Sequence, residues 1–256
     1  MIAGPGPAPR RTALVTGAAS GLGALAAQRL AAAGWAVIAA DVDEAGLART
    51  ALRSPTMHTR VCDVSEAAAI AEVAAAAGPL DRVVHAAGIS LVGTALDQPL
   101  EDAERIWRVD YLGTVHVVRA TLPGMLERAQ GELVLFSSLA GWLPSPRLSA
   151  YAAAKAAVNA YAEVLAQEHR GGGVKIRCVC PSQVDTPQFR RIAAQDPSVV
   201  AGRAGMPAGL VLDEVERSLA RDELFVFPGA TARLAVRGKR YVPGLLQRVV
   251  SRMTSG

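Results

Sequence analysis

Three side chains near the middle of the chain have the types and spacing for proton transfer. Tyr151 and Lys155 stand four residues apart in an alanine-rich stretch of helical pattern, so they share one helix face. Upstream, the short apolar run 132–136 reads as a buried strand with Ser137 and Ser138 at its end, and Gly141, Pro144 and Pro146 make the intervening loop. A strand end can thus present Ser138 opposite a helical Tyr/Lys pair. A free tyrosine, with a pKa near ~10, is a poor base at neutral pH. A neighbouring ammonium favours tyrosinate and is expected to lower that value. A serine hydroxyl can donate to an oxygen that gains charge. Neighbouring strand positions point to opposite faces, so Ser137 cannot share this role with Ser138. Tyr161 has no lysine four residues on.

The elements that must position this trio recur in order along the chain. Residues 12–16 form a short apolar strand, followed by Gly17-Ala18-Ala19-Ser20-Gly21-Leu22-Gly23 and a helical pattern to residue 33, stopped by Gly34. A second apolar strand, 35–40, ends at Asp41. Strand, glycine-rich turn, helix, strand and acid are the setting of a dinucleotide site. The glycines let backbone approach a pyrophosphate, and a helix N-terminus favours its negative charge. Asp41 lies roughly twenty residues beyond the turn, where a carboxylate can accept from both hydroxyls of an adenosine ribose. It would repel a 2′-phosphate, and no Arg or Lys follows it immediately, which favours NAD over NADP. Capping the next helix is the alternative use of Asp41, one that Asp43 can fill equally well.

Further strands are expected at 57–61, 82–85, 132–136, 174–180 and 223–227. Helices are expected at 66–77, capped by Ser65, and at 101–127, 150–169 and 213–220. Repeated βα units imply an α/β fold: a doubly wound parallel sheet of about seven strands, the Rossmann arrangement, with helices on both faces. Ligands then gather at the carboxyl ends of the strands. Gly17, Asp41, Asp63, Gly88, Ser138 and Pro181 all fall there.

These residues resemble the short-chain dehydrogenase/reductase family, in its branch of about 250 residues. The matching pieces are Thr16-Gly17-x-x-x-Gly21-x-Gly23, Asp63-Val64, Ala87-Gly88, Ser138, Tyr151-x-x-x-Lys155, and Pro181 with Thr186. The resemblance implies that Gly17, Ser20, Gly21, Leu22 and Gly23 line the pyrophosphate and that Asp63 and Val64 meet the adenine. It places His85, Ala86, Ala87 and Gly88 along the ribose, and Pro181, Val184 and Thr186 beside the nicotinamide. It makes Tyr151 the acid/base, Lys155 its partner and ribose clamp, and Ser138 the donor to the substrate oxygen. Three departures stand out. His85 and Ala86 replace two asparagines, and Pro181-Ser182 replaces Pro-Gly. Asp110 replaces an asparagine of the family's proton relay. An ionised Asp110 can accept from a relay water but not donate to it, and its charge beside Lys155 would act on the tyrosine.

The expectation is an NAD(H)-dependent oxidoreductase acting between a secondary alcohol and a ketone, an apolar one given Trp142 and Leu143. The alternatives are an epimerase or dehydratase that retains NAD, and a non-catalytic NAD-binding regulator favoured by Asp110. The resemblance also implies a homodimer or homotetramer through the helices around Glu101 and Ala150.

Composition excludes other classes. The net charge of +4 is mild and no basic stretch is interleaved with aromatics, so nucleic acid is not expected. The three cysteines, Cys62, Cys178 and Cys180, have no framework or metal-ligand spacing, which points to reduced thiols, no metal and a cytoplasmic setting. No apolar run reaches the ~18 residues of a membrane span. Residues 1–11 read as a flexible lead-in to one domain over 12–256. Within it, about 187–220 form a substrate lid. A basic amphipathic tail of about 230–256 is read as a solvated helix or subunit contact, with weak contact to a membrane surface as the other reading.

Overall fold

A computed structural model of the chain describes residues 10–52, 54–200 and 204–241. In chain order the elements are β1 (Thr12–Thr16), α1 (Gly21–Ala32), β2 (Ala36–Asp41), α2 (Glu44–Ala51), β3 (Met57–Val61), α3 (Ala67–Ala77) and β4 (Arg82–His85). Then follow α4 (Leu100–Ile106), a π-helical segment (Trp107–Leu112), α5 (Gly113–Glu127), β5 (Gly131–Phe136), a 3-10 turn (Leu139–Gly141) and α6 (Ser149–Glu168). The last are β6 (Val174–Val179), α7 (Pro187–Gln195), α8 (Pro197–Val200), α9 (Ala208–Leu219), β7 (Phe225–Val226) and α10 (Ala230–Tyr241).

All seven strands are parallel and lie in the order β3-β2-β1-β4-β5-β6-β7. The chain runs outward from β1 in one direction, then returns to β4 on its other side. That reversal opens a crevice at the carboxyl ends of β1 and β4. Side-chain alternation divides the core into two layers. Ala13, Val15, Val37 and Val134 pack one face of the sheet against α1 and α9. Leu14, Val83, Leu133 and Leu135 pack the other against α3, α5 and α6. Strands this short and buried on both faces read as continuous apolar runs.

The structure differs from the sequence-based expectations in several elements, among them α7 and α8, which form within the stretch read only as a lid. Helix α2 was given no bounds from the sequence, although Asp41 and Asp43 were read as able to cap a helix there; Gly46, a poor helix former, lies in its interior. Glycine is required there by packing: a Cβ would lie 2.6 Å from the Ala19 Cβ. Asp43 caps that helix through the Gly46 amide at 2.9 Å. The helix expected over 101–127 is interrupted by the π turn. Ser65 does not cap α3; its amide and hydroxyl both donate to Asp63 Oδ1, at 2.9 and 2.8 Å. The seventh strand shrinks to two residues. Of the lead-in, residues 1–9 lie outside the described residues, as do residues 242–256 of the basic tail, whose start forms α10. No helix among the described residues is long and apolar enough to cross a membrane.

Backbone also packs closely at the β1–α1 turn. A Cβ on Gly23 would lie 2.1 Å from the Gly17 carbonyl oxygen. Gly23→Ala is therefore expected to cost about 1–3 kcal/mol through forced backbone movement, read as a lower denaturant midpoint at unchanged slope.

Candidate active site

The crevice is a cleft of about 1190 Å³. One wall is the glycine turn. Gly17 has φ +70°, and a Cβ there would stand 2.5 Å from the Ala87 amide nitrogen, so β1 and the end of β4 touch through backbone alone. Helix α1 starts at Gly21, and Ser20 at its N-cap makes no side-chain capping bond. The first-turn amides and the positive end of the helix therefore face the cleft uncapped, a setting that suits phosphate. Gly21, Leu22 and Gly23 line it.

Asp41 stands at the end of β2 with its carboxylate held in place. Oδ2 accepts the Ala19 amide at 3.0 Å and Oδ1 the Asp43 amide at 3.0 Å. Sequence reasoning missed Arg49, which α2 brings into the same wall. Its guanidinium lies 3.5 Å from Asp43 Oδ2, and both side chains are more than half exposed. Only recognition of α2 could have placed it. Asp63 and Val64 line the cleft beyond β3, with Asp63 Oδ1 already engaged by Ser65.

The end of β4 splits the expected set. Ala86, Ala87 and Gly88 line the cleft, but His85 does not. It is 1 % exposed and lies between β1 and α5. Thr16 Oγ1 is 2.7 Å from His85 Nδ1, His85 Nε2 is 3.1 Å from Thr114 Oγ1, and Thr114 donates to the Asp110 carbonyl at 2.6 Å. Because the Thr114 proton is committed to that carbonyl, Thr114 can only accept from His85, which fixes the proton on Nε2. Nδ1 then accepts from Thr16. Of the two readings of His85, contact with the ribose and a packed histidine at the strand end, the ring takes the packed position. Burial, aided by the Lys155 charge, lowers its pKa to about 3.

The proton-transfer trio is assembled at the ends of β5 and α6. Ser138 Oγ accepts the Ala140 amide at 3.1 Å, and its hydroxyl favours the charged form of Tyr151. Ser137 is turned the other way and donates to the Lys155 carbonyl at 3.1 Å. Lys155 Nζ lies 5.7 Å from the Tyr151 ring centre and donates to the Phe136 carbonyl at 3.2 Å. Its ammonium also sits 3.2 Å from Asp110 Oδ2, with the two side chains 5 % and 0 % exposed. Asp110 Oδ1 accepts the Ile89 amide at 2.8 Å.

Lysine does not lower the tyrosine pKa below its usual value, as the sequence alone suggested. Burial raises the Tyr151 pKa; Lys155 pulls it down, and Asp110 pushes it up again. Burial likewise raises Asp110 against the pull of Lys155 and the Ile89 bond. For Lys155 burial acts downward, but Asp110 and Tyr151 outweigh it and hold the ammonium raised.

The remaining wall carries an apolar patch beside the polar Ser145, Gln183, Gln188 and Arg191. Leu139, Leu143 and Leu148 come from the loop between β5 and α6, and Phe189, Ile192 and Val199 from α7 and α8. Pro181 accepts the Leu139 amide at 2.8 Å. Thr186 lines the cleft and also caps α7 through the Phe189 amide at 3.3 Å. Val184 is buried and bridges to Met206. Arg147, at φ 66°, pairs with Asp196 at the α7–α8 junction and so ties the two apolar segments together. Among the described residues no group of three or more His, Cys, Asp or Glu side chains could hold a metal ion, and all three cysteines are free and buried.

Comparison with known proteins agrees with this geometry. Residues 11–197 match the family model described as short chain dehydrogenase. The chain is 33% identical over 238 residues to 1-deoxy-11-beta-hydroxypentalenate dehydrogenase of Streptomyces exfoliatus, covering 89% of this chain and 86% of that protein. A solved short-chain dehydrogenase of Burkholderia cenocepacia J2315 in complex with NADP superposes with TM-score 0.83 at 23% identity, covering 94% and 97% of the two chains. A short-chain dehydrogenase/reductase of Burkholderia phymatum in complex with NAD gives TM-score 0.80 at 25% identity, covering 92% and 95%.

His85 supplies a pH prediction. Its folded pKa lies below the ~6.5 of an exposed histidine, so the unfolded chain binds a proton that the folded one refuses. Stability is full above about pH 6.5 and falls as pH drops toward the folded value of about 3. His85→Asn, which cannot titrate, is expected to flatten the decline in urea midpoint between neutral and mildly acid pH; the measurement is a pH series of both proteins.

Proposed function

The chain belongs to the short-chain dehydrogenase family, and from that premise we propose that it is an NAD(H)-dependent oxidoreductase interconverting an apolar secondary alcohol and its ketone. The observation that carries this reading is that Ser138, Tyr151 and Lys155 line one glycine-walled cleft together, with the Lys155 ammonium 5.7 Å from the Tyr151 ring centre. The nicotinamide supplies or takes the hydride when bound. The protein's own work is to hold, orient and exchange a proton. Gly17, Gly21, Leu22 and Gly23 allow backbone contact with the pyrophosphate, and Ser20 opens the helix whose amides meet it. Asp63 and Val64 bound the adenine, while Ala86, Ala87 and Gly88 flank the ribose. Pro181, Val184 and Thr186 border the nicotinamide. The closeness of Gly17 to Ala87 leaves room for a backbone-lined cradle and for nothing larger than hydrogen on that turn.

In reduction Tyr151 donates its proton to the carbonyl oxygen and Ser138 donates a hydrogen bond to the same oxygen as it gains charge. In oxidation the tyrosinate takes the proton back. Lys155 steadies the anion and reaches the ribose. The apolar patch of Leu139, Leu143, Leu148 and Phe189 supports an apolar substrate, as does a relative named for a hydroxypentalenate. Residues 187–220 act as its lid, within one domain. Trp107 and Val164, exposed on the π segment and α6, support a homodimer or homotetramer through those helices. Three free, buried thiols support a cytoplasmic setting.

Asp41 supports NAD: its fixed carboxylate would repel a 2′-phosphate. Arg49 favours a second reading, NADP, because its pairing with Asp43 is exposed and weak enough to exchange for a phosphate.

Steady-state absorbance with an alcohol and ketone panel tests the reaction. Tyr151→Phe is expected to bind NADH normally and lose about 10²–10⁴ in kcat; a fully active variant would sink the assignment. Asp41→Ala is expected to move the NADPH/NADH ratio of kcat/KM upward by about tenfold or more. Wild-type protein that already prefers NADPH would transfer the role to Arg49.

A further inference from the structure

Asp110 has no place in the chemistry just described. It does not line the cleft, and its side chain has zero exposure. Yet it is the carboxylate beside the Lys155 ammonium, at 3.2 Å. Its other oxygen is fixed by the Ile89 amide, and its own carbonyl is held by Thr114. The π turn directs the residue inward, and on the same segment the rings of Trp107 and Tyr111 meet in a tilted contact with centroids 4.6 Å apart. A Cβ on Gly88 would lie 3.2 Å from Lys155 Nζ and 3.3 Å from Asp110 Oδ1, so this glycine covers the pair directly. One Lys155 N–H is committed inward, to the Phe136 carbonyl, and the ammonium is held at ion-pair distance from Asp110 Oδ2, an oxygen with no hydrogen-bond donor of its own.

Resting on the hydride-transfer reading above, we propose that Asp110 is a positioning residue that draws the Lys155 ammonium inward and takes up its charge, so that Tyr151 stays a proton donor and the site is matched to carbonyl reduction. Lysine free of a carboxylate would spend its full charge on the tyrosine hydroxyl and favour the tyrosinate needed to oxidise an alcohol. Here part of that charge is spent on Asp110, whose own charge also disfavours tyrosinate. The titratable groups facing the pair are few. Cys178 comes from β6 and Cys180 from just beyond it, His85 from β4, and Tyr151 from α6. His85 is neutral, as derived above, and the buried Cys178 thiol is pushed well up. Asp110 is thus the charge that opposes Lys155.

The test is a pH titration of the near-ultraviolet tyrosinate band of the full-length protein, taken as the difference from Tyr151→Phe. It needs no substrate. Asp110→Asn keeps an acceptor for the Ile89 amide and removes the charge. Its Tyr151 midpoint is expected to fall by about one pH unit or more. The rising limb of kcat/KM for alcohol oxidation should move to lower pH by a similar amount, since that direction needs tyrosinate. An unchanged midpoint in a folded Asp110→Asn protein overturns the proposal. So does a wild-type Tyr151 midpoint below the usual ~10 of tyrosine, a result that stands even where the variant does not fold. Absence of hydride transfer across the substrate panel, with the midpoint moving as expected, would instead defeat the reaction assignment and leave the Asp110–Tyr151 coupling in place.

Discussion

An ammonium group with almost no access to water has to be carried to the carboxyl edge of the sheet, and much of the surrounding structure answers that demand. Lys155 is paired with Asp110 and bonded to the Phe136 carbonyl. Taking such a pair out of water costs several kcal/mol per ion, and removing one partner alone leaves the other stranded at a cost of about 3–5 kcal/mol. Each partner therefore needs its own support. Asp110 receives the Ile89 amide, and its carbonyl receives Thr114, which is held through His85 to Thr16 on β1. That chain runs from the first strand of the fold to the π segment. It fixes the strand that begins the glycine turn and the helix that delivers the counter-charge.

Small residues make the rest possible. Gly17 lets β1 and β4 touch through backbone, Gly88 covers the ion pair, and Gly141 lets the loop after Ser138 lie on α6, where a Cβ would sit 2.7 Å from the Lys155 carbonyl carbon. At each of these sites the close neighbour is backbone or the charged pair itself, which cannot move aside. The cleft gains a polar floor and an apolar patch on its outer wall from this arrangement. Charges are handled below the surface, and the open space is left to ligands.

The βα units, the sheet and the placement of Ser138, Tyr151 and Lys155 at the carboxyl edge were legible in the sequence, because apolar runs and punctuating glycines report burial directly. Other features were not. Helix α2 went without bounds; Gly46 in its interior disfavours helix locally, and tertiary contact demands it. Arg49 went with it. The π turn leaves hydrophobic periodicity nearly intact, so one inserted residue is invisible to pattern while it redirects Asp110. His85 sits at a strand end where the motif reads the same whichever way the ring turns. Its direction was decided by Thr16 and Thr114, neighbours in space and far apart in sequence. The sign of the tyrosine's environment was hidden as well, since it is set first by burial, which a sequence motif does not report, and only then by the opposing charges of Lys155 and Asp110.

The π segment carries one last consequence. A π turn is what a regular helix becomes on accepting one residue more than its repeat allows. Deleting a single residue within Trp107–Leu112 would let the turn close into an unbroken helix, changing which side chain the segment presents to Lys155 while the flanks keep their faces. Point substitutions here alter one contact each; a change of length swings the carboxylate away from the ammonium in one step. The segment is a length-coded switch in the gene, more sensitive to the loss of a codon than to its misspelling.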